Sequence, residues 1–181
     1  MTPRAGGRLD HSPSLSPEGF DEAFGNLATG AVLVTAGSPR APGVIATGQV
    51  MRLSSSPPLF AVAARRGRPA EERVLRSRSI VLHLLSADQV DLADRAGLDP
   101  TGSGLDWGTL HTGEPFVPAA SVWIRGQVID RVETGDAALL VVRATHACYP
   151  PVGMTQASTW PGPLARHRDG WHELSATSRL P

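Results

Sequence analysis

Lysine is absent. All seventeen basic residues of the 181-residue chain are arginine, which excludes chemistries that need a primary amine: Schiff-base catalysis, a pyridoxal phosphate anchor, a Ser-Lys dyad and the lysine of nucleotide-binding loops. Cysteine is nearly absent as well. Cys148 alone leaves no intrachain disulfide, no cysteine zinc cluster and no Cys-x-x-Cys redox pair, as suits a reducing cytoplasm. Excess charge of either sign is also missing, since seventeen acids balance the seventeen arginines and no block of five like charges occurs. Neither nucleic acid nor a membrane surface is therefore an expected partner. No run approaches the ~18 apolar residues of a membrane span, and Met1-Thr2-Pro3-Arg4 leads through Gly6, Gly7, Asp10 and His11 without the apolar core of an export signal. The expectation is a cytoplasmic protein, and its richness in Ala, Gly, Pro and Arg mirrors a GC-rich genome.

What is present reads as one domain. Residues 1–15 are Pro-, Gly- and Ser-rich and predict a loose tail, with a domain over 16–175 and a short tail over 176–181. Ser16, Pro17 and Glu18 form an N-cap, an N1 proline and a dipole-matching carboxylate, and Phe20, Phe24 and Leu27 follow on one face, predicting a helix that ends near Gly30. Ala31 to Ala36, Leu59 to Ala64 and Ile80 to Leu85 are short apolar runs bounded by turn residues and predict buried strands. Ala70 to Arg78 and Asp88 to Ala96 have helical periodicity. Ser121 to Val132 and Ala138 to Tyr149 predict an antiparallel hairpin turning at Glu133 to Asp136, and Arg166 to Leu174 a final strand. Between these, Leu98 to Pro118 carries Trp107, His111 and Phe116 and is too long for a plain connection, so a dimer arm and a lid are both open readings. The total is a mainly β protein of six to seven mostly antiparallel strands with small flanking helices, a barrel by strand count.

The order of segments carries more. Phe20 to Ala36 (FDEAFGNLATGAVLVTA), Gly43 to Leu59 with its Ser-Pro-Pro ending, and Ile80 to Ala96 (IVLHLLSADQVDLADRA) resemble the short-chain flavin reductase family. Gly113-Glu-Pro-Phe, the Gly135-Asp136 strand opening and the closing Pro163 to Trp171 agree with it. The resemblance implies an FMN-binding split barrel, a homodimer with FMN or FAD in a groove between subunits, NAD(P)H as co-substrate, and a partner monooxygenase that receives reduced flavin, plausibly in secondary metabolism. No side-chain catalyst is implied, because hydride passes directly between the nicotinamide and flavin rings and the protein orients them.

The family's flavin-holding stretch, usually Asn-Ser-Phe-Thr-Ser, falls on Gly48, Gln49, Val50, Met51 and Arg52, flanked by Thr47 and Ser54. The Asn and the hydroxyls of that stretch are replaced, so the resemblance implies that arginine holds the flavin phosphate: Arg52, with Arg65, Arg66 and Arg68 from the loop after the third strand. The resemblance implies that His83, His167 and Arg168 stand near substrate, although His83, within an apolar run, reads more readily as a core histidine. His146, Cys148, His167 and His172 match no recognised ligand spacing, so no metal is expected. The altered motif leaves an alternative: a repurposed barrel taking another small molecule in the groove, as a cofactor-independent tailoring enzyme or a non-catalytic binding module.

Overall fold

A computed structural model of the chain describes residues 16–24, 27, 29–47, 49–99, 104–120, 122–149, 164–167 and 170–173. Helix α1 (Pro17–Phe24) starts as its cap predicts: Gly19 N–H donates to Ser16 Oγ at 3.1 Å and Phe20 N–H to the Ser16 carbonyl at 2.9 Å. It stops well short of Gly30, because Thr29 and Gly30 are taken by a strand, β1, instead. The strands β2 (Val32–Ser38), β3 (Ala41–Thr47), β4 (Val50–Ser55) and β5 (Pro58–Arg65) follow, then helix α2 (Pro69–Arg76) and β6 (Ser79–Leu84). A short 3₁₀ turn leads into α3 (Val90–Leu98). The small hairpin β7 (Gly108–Thr109) and β8 (Pro115–Phe116) precedes the long pair β9 (Val122–Thr134) and β10 (Ala137–Cys148). Gly135 at φ 58° turns that pair with Asp136, so Glu133 and Thr134 stay in the ladder rather than in the turn the sequence predicts. The end of the chain holds two strands, β11 (Leu164–His167) and β12 (Gly170–Glu173), where the sequence predicts one.

Seven strands form one antiparallel sheet in the order β3-β2-β6-β9-β10-β5-β4. Its two edges, β3 and β4, are consecutive in the chain and joined only by residues 48–49. So short a connection spans about 10 Å, so the sheet has to curl until its edges nearly meet, as a barrel split along the β3/β4 seam. Three bulges help the curl. Leu53, Ile129 and Thr145 each lack a ladder partner, and a bulge bends its strand and sharpens the twist. Gly126 of β9 sits where a Cβ would strike the Val142 side chain and the Arg143 carbonyl, so only glycine lets β9 and β10 close there.

Both faces of β2 are buried, which explains why its sequence is a continuous apolar run rather than an alternating one. Val32, Val34 and Ala36 face a barrel interior shared with Phe60, Ile80 and Leu140 and closed by Val74 and Leu75 of α2. Ala31 and Leu33 face outward against Leu92, Ala93 and Ala96 of α3 and against Leu105 and Val117.

The Leu98 to Pro118 stretch, as far as residues 104–120 describe it, packs back on the barrel through Glu114, Pro115 and Val117. It lies on the outer face of the sheet, held by polar side chains that β2, β6 and β9 direct outward. Thr35 Oγ1 donates to the Pro115 carbonyl at 2.7 Å, and Val117 N–H donates to His83 Nε2 at 3.1 Å. Ser79 Oγ and Arg125 both donate to Glu114. A segment with so little regular structure must satisfy its buried polar groups elsewhere, and the sheet supplies the partners. Among the described residues no helix is long and apolar enough to cross a membrane.

Candidate functional site

A cavity of about 880 Å³ opens at the seam of the barrel. One wall is the split itself: Ala46 and Thr47 from the end of β3, Gln49 from the connection, Val50 and Met51 from the start of β4. The opposite wall comes from α3, through Ala93, Asp94, Gly97 and Leu98, with Phe20 of α1 and the β1 backbone at Thr29 and Gly30. Arg68, the residue before α2, is its one arginine among the described residues.

Local backbone chemistry explains the shape. Thr47 Oγ1 accepts the Gln49 N–H at 3.0 Å, and the Gln49 carbonyl accepts the Ala63 N–H at 3.0 Å. The tight crossing from β3 to β4 is thus tied to β5, and the exposed Gln49 amide is left with a donor and an acceptor at the rim. On α3, Ala93 and Gly97 stand four residues apart, and a Cβ added at Gly97 would meet nothing within 4 Å. This small-residue pair opens space that larger side chains would fill. The remaining lining is mostly apolar, which suits a flat aromatic ring, with Arg68 as the group able to pair with a phosphate. Arg68 is 72% exposed and stands 3.9 Å from Glu71, a loose contact that an anion could displace.

The sequence candidates separate around this cavity. Thr47, Gln49, Val50, Met51 and Arg68 line it together. Arg52 and Ser54 do not: Arg52 donates to Ser55 Oγ on its own strand, and Ser54 Oγ accepts the Ser56 N–H at 3.2 Å, both within the β4–β5 turn. Arg66 turns away to pair with Glu133, and Arg65 is exposed at the end of β5 outside the lining. His83 is also elsewhere. It is wholly buried under the 104–120 segment, its Nδ1 donating to the Leu33 carbonyl at 3.3 Å while Nε2 accepts from Val117, so both ring nitrogens are in use. Burial pushes its pKa from 6.5 down to about 4, against the raising effect of the backbone hydrogen bonds. Gly48 and Arg168 lie outside the described residues, as does the side chain of His167, whose backbone pairs with Gly170.

Sequence reading missed the α1, β1 and α3 contributions. Only the Ala93/Gly97 spacing on α3 could have signalled them. Among the described residues no group of three or more His, Cys, Asp or Glu could hold a metal ion.

A model of the flavin reductase like domain matches residues 24–174. FMN reductase (NADH) RutF 2 of Methylorubrum extorquens (strain PA1) is 31% identical over 132 residues, covering 71% of this chain and 77% of its own. The barrel is also similar to two solved structures. Nitrilotriacetate monooxygenase component B from Mycobacterium thermoresistibile has TM-score 0.77 at 20% identity, over 91% of this chain and 89% of that one. The NADH:FAD oxidoreductase SgcE6 of Streptomyces globisporus C-1027, solved with NAD and FAD fragments, has TM-score 0.76 at 17% identity, over 93% and 100%. At those identities the two structures speak to the fold, which is the split barrel the sequence predicts.

Proposed function

Because the chain belongs to the flavin reductase like domain family, we propose that it is an NAD(P)H-dependent flavin reductase that takes FMN or FAD in the cavity at the β3/β4 seam. The observation that carries this reading is the cavity itself, in which family motif positions Thr47, Gln49, Val50 and Met51 meet Arg68 across a mostly apolar space. The residues present fit a flavin: the walls suit a planar ring and Arg68 suits its phosphate. Bound there, a flavin supplies the acceptor for hydride from reduced nicotinamide.

The chain's own residues bind and orient. Val50, Met51 and Leu98 give the apolar surfaces, and the Gln49 amide offers a donor and an acceptor to a ring edge. Arg68 pairs with the phosphate, and the Thr47 hydroxyl holds the β3 to β4 crossing on which the others depend. No side chain needs to move a proton for hydride transfer between two rings. Gly48, His167 and Arg168 belong to the proposal through the family pattern.

The same rim motivates a homodimer. Phe20, Leu27, Met51 and Leu98, which line this opening, are between 49% and 87% exposed, and Leu53 at the β4 bulge two residues beyond Met51 is 43% exposed, more apolar surface than a lone chain leaves to water without a use for it. A second copy is the proposed cover. A partner monooxygenase is the proposed consumer of reduced flavin, as the name of the Mycobacterium relative implies for that protein, and the cytoplasm is the proposed setting. The test is flavin binding with flavin-dependent NADH oxidation by the purified chain.

A further inference from the structure

Six of the seventeen arginines fall within residues 65–78, alongside only Glu71 and Glu72. The fold divides them. Arg68 goes to the flavin cavity, whereas Arg66, Arg76 and Arg78 meet Arg131 of β9 around a separate recess of about 380 Å³ beside α2. The two spaces share no lining residue.

Four arginines, three from residues 66–78 and one from β9, thus line one concavity, with Glu72 and Glu133 as its carboxylates among the described residues. Glu133 holds Arg66, and Glu72 stands 3.2 Å from Arg76. The other two arginines have no carboxylate partner among the described residues. Arg131 is fixed from behind, its Nε donating to the Leu75 carbonyl at 2.8 Å and its Nη2 to the Ser77 carbonyl at 2.5 Å, which leaves Nη1 uncommitted. Arg78 makes no side-chain hydrogen bond or ion pair among the described residues, and it is exposed. Leu75 and Ala138 give the recess an apolar floor, and a low-dielectric surface beneath clustered charges concentrates their field.

We propose that this recess is a second anion site, which binds a phosphate-bearing ligand independently of the flavin cavity. Its two uncompensated positive charges match a doubly charged phosphoryl group. Arginine forks bind such a group in a planar, two-point geometry, and Arg131 is already held in place for it. The phosphate could come from an inorganic oligophosphate or from a nucleotide, and the titration separates the two.

The full chain, saturated with riboflavin to occupy the flavin cavity without a phosphate, is titrated calorimetrically with inorganic pyrophosphate and with ADP at low salt. One saturable site is expected, weakening as salt rises. Arg78→Gln weakens it about tenfold or more, as loss of a charged hydrogen-bonding partner does, and Arg78→Glu abolishes it. Arg68→Ala leaves it unchanged. Equal affinity for both probes assigns the site to phosphate alone, and tighter ADP binding assigns it to a nucleotide. No saturable binding of either probe overturns the proposal. So does binding that survives Arg78→Glu, or binding that Arg68→Ala removes. Because the readout is anion binding, its failure leaves flavin reduction untouched.

Discussion

Arg125 of β9 grips Glu114 of the returning segment through two nitrogens on one carboxylate oxygen, Nε at 3.1 Å and Nη2 at 2.6 Å, with the side chains only 11% and 7% exposed. The bulge at Thr145 helps hold it, since Thr145 Oγ1 accepts from Arg125 Nη1 at 2.9 Å. Burial alone raises the Glu114 pKa. Hydrogen bonds from Arg125, Ser79 and Thr112 more than offset that and bring it down to about 2.

Removing one partner should leave a buried charge without its counterion. Arg125→Ala is expected to destabilise the fold by about 3 to 5 kcal/mol, and the Arg125→Met, Glu114→Leu pair by much less than the sum of its single changes. Urea unfolding of the wild type, both single variants and the double variant measures the coupling. Simple additivity would show that the pair does not hold the segment.

His83 predicts a pH slope. Its folded pKa, about 4, lies below its ordinary 6.5, so the unfolded chain binds the extra proton between those values and stability falls as pH drops through that window. The loss is about 3 kcal/mol, complete near pH 4, and below the ordinary carboxylate range Glu114 adds a further loss toward pH 2. Urea midpoints measured from pH 7 downward should decline, with a shallower decline in His83→Asn, which cannot titrate. Equal slopes in the two proteins would remove His83 as the source.

Much of the barrel was legible because its signals are local. The Ser16 cap, the unbroken apolar run of β2 and the Gly135-Asp136 turn each act through neighbouring residues. The docking of residues 104–120 was not legible, since it depends on Thr35, Ser79, His83 and Arg125 being brought together from three strands. His83 shows the limit well: one histidine in an apolar run suits a ligand contact or a core position, and only the Val117 N–H, supplied from 34 residues away, decides for the second. The arginines were legible as a group but not by direction. Arg66 and Arg68 are two residues apart, yet one faces Glu133 and the other the cavity.

Arg68 should be the phosphate contact. Arg68→Ala is expected to weaken FMN binding about tenfold, at the low end for a charged hydrogen bond because the side chain is largely exposed. Riboflavin, which lacks the phosphate, should bind unchanged. Arg52→Ala should affect neither, because Arg52 is engaged with Ser55. Fluorescence titration with both flavins tests the pair of variants, and a phosphate-selective loss in Arg52→Ala alone would move the phosphate to β4.

Light scattering at micromolar concentration should give about twice the 19.1 kDa chain mass. Leu53→Asp, at an exposed bulge outside the cavity lining, should shift the protein toward monomer without unfolding it. A wild-type monomer would mean that the apolar rim has another use.

Flavin-dependent NADH oxidation is the decisive measurement. Purified chain supplied with NADH and FMN or FAD should consume NADH in proportion to enzyme and saturate with flavin, with Arg68→Ala raising the FMN requirement. Protein that neither binds flavin nor accelerates NADH loss would contradict the reductase reading and favour a barrel that holds some other small molecule at the seam.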